Sequence, residues 1–335
     1  MGRKWIAGAL AVLTAMVVIP PATADEPLLL PDLRQAPPGC SGGYPDDPSR
    51  CRDWDVCMVA DAGAPNGTCR RTGPIGAVRL RFTSAEDNVG DGPLVLFGQR
   101  DPGSSTMSVR QGFQAGRHGH IPGSYAEARQ QTQNSMYYEP APMHLHWHLM
   151  DFERMQLRDL AGGAVVTDRK TGFCLGDRYT VHDAYQLPNL VRYGRTPEYE
   201  LSKYLQYNMC ASRDPSATEL KAGISVGSGD DYRYDVDFQW LDITSVPSGT
   251  YDLVNTVNSS HTLRETDYGN NSSSIAISIQ WPGRAANPPA VITAPPVVKL
   301  LRSCPGAERC AARTGMEPRI SSDQIQHAPR HKPHH

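Results

Sequence analysis

The sequence predicts a mainly β fold of the β-sandwich type, with long loops and disulfide staples. Three observations predict it. Apolar and polar residues alternate in several short runs through the middle of the chain, turn residues separate those runs, and no segment sustains a helical period. The eight cysteines, an even number, all lie beyond residue 39, where they can close bridges in an oxidising compartment.

Taken in order, Arg3 and Lys4 precede an apolar run from Trp5 to Ile19, followed by Pro20-Pro21 and the small residues Ala22-Thr23-Ala24. This is the pattern of a signal peptide over residues 1–24, because the run is shorter than the roughly 20 apolar residues that cross a bilayer. The expected location is secreted and extracellular, with no membrane segment in the mature form. A formal charge of -2 on the chain gives no reason to expect a nucleic-acid or membrane-surface partner. Cys40, Cys51, Cys57 and Cys69 lie in a Gly/Pro/Asp-rich stretch and are expected to pair among themselves, leaving Cys174 with Cys210 and Cys304 with Cys310 as the simplest remaining pairs.

Val78, Leu80 and Phe82 alternate with Arg79 and Arg81, and Leu94 to Phe97 form a buried-strand run after the turn Gly90-Asp91-Gly92-Pro93. Tyr232, Tyr234, Val236, Phe238 and Trp240 take every second place against polar neighbours, which predicts one continuous strand. Two further strands are expected over Tyr251 to Val257 and from Ile275 to Trp281. The expected organisation is a catalytic domain over residues 25–283, containing a Cys-rich insert at 40–69. A Pro-rich and Cys-loop extension follows at 284–316, then a disordered His-bearing tail at 317–335.

His144-Leu145-His146-Trp147-His148 is the first chemical feature. Residues two apart on a strand share a face, so three imidazoles project together, and imidazole suits copper, zinc, iron and nickel. On a straight strand the outer α-carbons would be roughly 13 Å apart, so a common metal requires a twist, bulge or bend. A zinc hydrolase has little support, since no Glu or Asp stands at the spacing of a helical zinc motif.

The residues that follow bring a specific resemblance. His144-x-His146-x-His148-x-Met150-Asp151, then Lys170-Thr171-Gly172-Phe173-Cys174-Leu175, then Tyr232 ahead of Asp235-Val236-Asp237-Phe238-Gln239-Trp240, then Glu265-Thr266-Asp267-Tyr268-Gly269-Asn270-Asn271 stand in one order. In that order they resemble the catalytic domain of the lysyl oxidase family, over roughly residues 28 to 283. The resemblance implies that His144, His146 and His148 bind copper and that Lys170 and Tyr232 become a lysine tyrosylquinone. It implies oxidative deamination of primary amines, peptidyl lysine or small amines, to aldehydes, with dioxygen consumed and hydrogen peroxide and ammonia released. It also implies a structural calcium ion held by Asp32, Leu33, Glu265, Asp267, Asn270 and Asn271, whose side-chain oxygens suit a hard cation.

The residue types make chemical sense of these roles. Lysine is a nucleophile only when neutral, so Lys170 would need a pKa below its usual value of about 10.4. Tyr234 is a second quinone candidate on the same expected face, and register with Gln239-Trp240 favours Tyr232. Asp235 and Asp237 are the local choices of general base, although strict alternation turns both away from Tyr232. The chain also departs from animal members, with Ala141 where they carry a further histidine and Phe238 in place of a cysteine. The rival reading is a non-catalytic extracellular β-sandwich module whose histidines hold a metal.

Overall fold

The computed structural model describes residues 26–168 and 172–311. The signal-peptide stretch, Lys170 and the His-bearing tail lie outside the described residues.

The fold is mainly β, as the alternations predict. One five-stranded antiparallel sheet runs, in spatial order, through His146–Leu149, Gln130–Glu139, Thr106–Gly112, Leu94–Gln99 and Glu219–Ile224. A second runs through Ala164–Thr167, Glu153–Arg158, Gly249–Val257, Ser272–Gln280 and Val297–Cys304. A four-stranded sheet joins Tyr179–Thr180, Ser228–Tyr232, Ser84–Asn88 and Leu33–Gln35, and a three-stranded one joins Trp240–Asp242, Ala77–Phe82 and Trp54–Val59. Their apolar faces meet in one core that includes Leu33, Phe82, Leu96, Trp147, Leu157, Leu253, Ile277 and Trp281. Burial of such side chains contributes about 1.5–3 kcal/mol each, so facing sheets with alternating sequences have a direct reason to stack.

The α-helix Pro197–Gln206 follows from local chemistry. Thr196 caps it by accepting the Tyr199 amide, Pro197 sits at its first position, and Glu198 and Glu200 face the positive end of its dipole. Its buried Leu201 and Leu205 pack on Val95 and Phe97.

All four disulfides form, and they join Cys40 to Cys51, Cys57 to Cys69, Cys174 to Cys210 and Cys304 to Cys310. The Cys40 to Cys69 stretch supplies the strand Trp54–Val59, which pairs with Ala77–Phe82. Beyond residue 283, Val297–Cys304 pairs with Ser272–Gln280 and becomes the outermost strand of its sheet.

The continuous strand expected over 232–240 does not exist. Pairing stops at Tyr232 and resumes at Trp240, with a looped segment between them in which Phe238 takes φ +63°. Turn hydrogen bonds from Val236 to Arg233 and from Gln239 to Val236 close that loop. Alternation in sequence was real, but the backbone spends it on a turn.

Candidate metal centre

The three histidines converge because the backbone bends at the first of them. Only His146–Leu149 is strand, pairing with Gln130–Glu139, so His146 and His148 share a face two residues apart. His144 precedes the strand in a turn closed by Ala141, whose carbonyl accepts the His144 and Leu145 amides at 2.9 and 3.1 Å. Leu145 has φ +52°, a left-handed conformation that swings the His144 ring back over the other two. Ala141 therefore serves the turn itself.

All three imidazoles are buried, and one ligand nitrogen from each lies within 4.8 Å of the others. His146 Nε2 and His148 Nε2 are 2.9 Å apart, a separation open to two nitrogens bonded to one ion at about 2.0–2.1 Å. His144 Nε2 lies 3.1 Å from the Asp237 carbonyl oxygen. A carbonyl only accepts, so this contact places the proton on Nε2 and leaves Nδ1 as the nitrogen available to a metal.

Tyr232 stands against this cluster. Its ring lies parallel to His144 at 6.1 Å and edge-on to His148 at 6.5 Å and to Phe173 at 4.9 Å. The phenol oxygen accepts the Cys174 amide at 2.6 Å. Burial first, then the charge of Asp230, pushes its pKa well above the ordinary tyrosine value. Tyr234 lies elsewhere, with Arg81 over its ring at 5.4 Å and its amide bonded to Thr83 Oγ1.

The segment after Lys170 is fixed against the histidine strand. Leu149 and Phe173 exchange both backbone hydrogen bonds, at 2.8 and 3.0 Å, and Trp147 donates its amide to the Cys210 carbonyl at 3.0 Å. The Cys174–Cys210 bridge ties those two supports together. Gly172 passes so close that an added Cβ would stand 2.9 Å from His148 Cβ and 2.7 Å from Met150 Sδ.

Because the 232–240 segment loops, Asp237 reaches the site that alternation denied it. It is buried, and its Oδ2 accepts the Met143 amide at 3.0 Å. Asp235 instead pairs with Arg233 at 3.0 Å near the surface.

Of the residues proposed for a hard cation, Leu33, Glu265 and Asn271 are joined by hydrogen bonds, as are Asp32 and Asn270. Glu265 Oε2 accepts the Leu33 amide at 2.8 Å, and its Oε1 accepts Asn258 and Asn271 amide nitrogens at 2.6 and 2.7 Å. Asn270 donates to Asp32 Oδ1 at 2.7 Å, while Asp267 Oδ1 accepts the Gly269 amide at 2.7 Å. Burial raises the Glu265 pKa to about 7 against the pull of these donors. The Oδ1 atoms of Asn270 and Asn271 are buried with no hydrogen-bond donor.

Against this geometry, the sequence profile of the lysyl oxidase family matches residues 203–286. Part of the chain is similar to the lysyl oxidase family. Over 129 residues it is 32% identical to lysyl oxidase homolog 2 of Gallus gallus and 33% identical to the homolog 2 of Homo sapiens. Lysyl oxidase homolog 3A of Danio rerio is 33% identical over 129 residues. Each alignment covers 38% of this chain and 13–14% of the relative. The lysyl oxidase profile match contains Tyr232 and the Glu265 to Asn271 loop, whereas the histidines and Lys170 lie ahead of it.

Sequence reasoning missed several polar residues beside this centre. Gln239 donates to Phe82 O and Ser84 Oγ, both at 3.0 Å, and Glu86 and Glu153 are fully or almost fully buried. Glu86 lies in no recognisable motif, and only a charge inside a run of strand residues, Ser84–Asn88, could have marked it.

Proposed function

We propose that this chain is a secreted, copper- and quinone-dependent amine oxidase of the lysyl oxidase type, acting on primary amines such as peptidyl lysine or small amines. The observation that carries the reading is the Tyr232 ring lying against three convergent, buried imidazoles. His144, His146 and His148 would hold the copper, and their all-nitrogen set fits that metal. Bound copper would supply the dioxygen-dependent oxidation that joins Tyr232 and Lys170 into the quinone.

The remaining work belongs to the chain. The Cys174 amide fixes the Tyr232 phenol oxygen, and Phe173 packs edge-on against the ring to keep water from that side. Of the two carboxylates considered as proton acceptor, Asp237 is the buried one, in a residue whose backbone carbonyl meets His144. The amine enters, an aldehyde leaves, and hydrogen peroxide and ammonia are the other products. The Asp32, Leu33, Glu265, Asp267, Asn270 and Asn271 cluster would bind calcium and tie the start of the domain to a late loop, the undonated Asn270 and Asn271 oxygens being its natural ligands.

The test is a redox-cycling quinone stain on the denatured protein after exposure to copper and air. Native protein should stain and release hydrogen peroxide with a primary amine, whereas Lys170→Ala, Tyr232→Phe and His146→Ala should do neither. A native protein that binds copper but never stains would leave the metal-holding module as the correct reading.

A further inference from the structure

Of the three histidines, His144 is the one that no strand carries, so its position is set by the connection ahead of it. That connection leaves the strand Gln130–Glu139 at Glu139 and enters the next at His146, and these two end residues are opposed in register. Opposed residues in an antiparallel pair share a face. The half-buried Glu139 side chain therefore stands on the side that carries His146 and His148.

The sequence makes this connection short of hydrogen-bond donors. Pro140 and Pro142 have no N–H, which leaves the amides of Ala141, Met143, His144 and Leu145. All four are engaged. Ala141 donates to Glu139 Oε1 at 2.9 Å and Met143 to Asp237 Oδ2 at 3.0 Å, while His144 and Leu145 both donate to the Ala141 carbonyl. A line of contacts thus runs from the Glu139 carboxylate to Ala141, and from Ala141 to the backbone of His144.

Glu139 is close to the cluster without belonging to it. The ligand atoms that lie within 4.8 Å of one another come from the three histidines alone, among the described residues. What the carboxylate does is hold backbone, and an N–H bonded to a carboxylate is held about twice as strongly as one bonded to a neutral acceptor. Leu145 needs such restraint, because a left-handed leucine persists only where its surroundings over-determine it.

We propose that Glu139 is a positioning residue for the metal centre, a role that rests on the copper reading of the histidines and stands apart from the quinone. Its carboxylate fixes Ala141, Ala141 closes the turn, and the turn presents His144 to a metal held by His146 and His148. The third ligand is then in place before the metal arrives, and binding does not have to order residues 140–145.

The experiment uses the purified full chain, stripped with a chelator and titrated with copper(II) alone. Affinity is read by chelator competition, and the number of coordinated nitrogens by electron paramagnetic resonance. Glu139→Ala should bind about 10–100-fold more weakly, with one nitrogen lost from the spectrum. Glu139→Asp, a methylene too short to reach Ala141, should behave in the same way and serves if the alanine variant does not fold. Glu139→Gln keeps an oxygen acceptor at the same reach and should restore the native spectrum. Native affinity and nitrogen count in both shortened variants overturns the proposal, as does a Glu139→Gln protein as weak as Glu139→Ala, which would make charge the operative property. A native protein that takes up no copper overturns instead the metal reading beneath it.

Discussion

Single residues set the geometry of the histidine cluster more than the motif itself does. The requirement for a bend was legible in the spacing of the three histidines, but its place at Leu145, with φ +52°, was not, because left-handed backbone at a leucine has no sequence signature. Gly172 is the most sensitive neighbour. Gly172→Ala would put a methyl 2.9 Å from His148 Cβ, so we expect His148 to be displaced and copper affinity to fall by at least tenfold, read by metal titration. Asp177 offers a cleaner electrostatic test away from the histidines. Burial raises its pKa to about 6 despite hydrogen bonds from Ser225 and the nearby Arg178. A carboxyl raised in the folded state favours folding most at low pH and loses that contribution as pH climbs through the folded value. Asp177→Asn, neutral throughout, should therefore match the native protein near pH 4 and exceed its stability above pH 6. We expect a gain of about 1–2 kcal/mol after solvent screening, measured by denaturant unfolding.

At the scale of elements, the strands were legible wherever alternation coincided with pairing partners, as in Ala77–Phe82, Gly249–Val257 and Ser272–Gln280. The segment from Arg233 to Gln239 alternates just as well and is a loop, because register with a neighbouring strand, not side-chain pattern, decides where pairing stops. That loop brings the Asp237 backbone carbonyl to His144, so the misread element is also one that packs against the histidine cluster. The Cys174–Cys210 bridge has a comparable role, since it joins the Phe173 and Cys210 supports of the histidine strand. It spans 36 residues, and closing a loop of that length is worth about 3–4 kcal/mol in the unfolded chain. Replacing both cysteines by serine should lower stability by about that amount. It should also reduce quinone yield more than copper binding, because Tyr232 is held through the Cys174 backbone while the histidines keep their own strand. Equal losses of both would assign the bridge to stability alone.

Across the whole molecule, composition and periodicity disclosed the fold class, and cysteine spacing gave the Cys174–Cys210 and Cys304–Cys310 pairs but left open how Cys40, Cys51, Cys57 and Cys69 pair among themselves, whereas the arrangement of sheets depended on contacts far apart in sequence. Leu33 meeting Glu265 and Asp32 meeting Asn270 are two such contacts, and Glu265 is held locally by the Asn258 and Asn271 amides. These two asparagines begin glycosylation-type triplets, yet their side chains are buried and engaged, so the folded protein does not offer them for modification. The strand Val297–Cys304 carries a consequence for how the chain can be shortened. It lies at the rim of its sheet with a largely exposed face, and it covers the hydrogen-bonding edge of Ser272–Gln280, a strand rich in isoleucine. A protein ending at Gly283 would keep every proposed ligand and cofactor residue but would present that edge to other molecules. Open edges of this kind recruit further strands, so the shortened protein should self-associate in a concentration-dependent way visible by light scattering, while one ending after Ala311 should stay monodisperse. The outermost strand is then a guard against polymerisation, contributing solubility to a molecule whose candidate metal centre lies on another sheet.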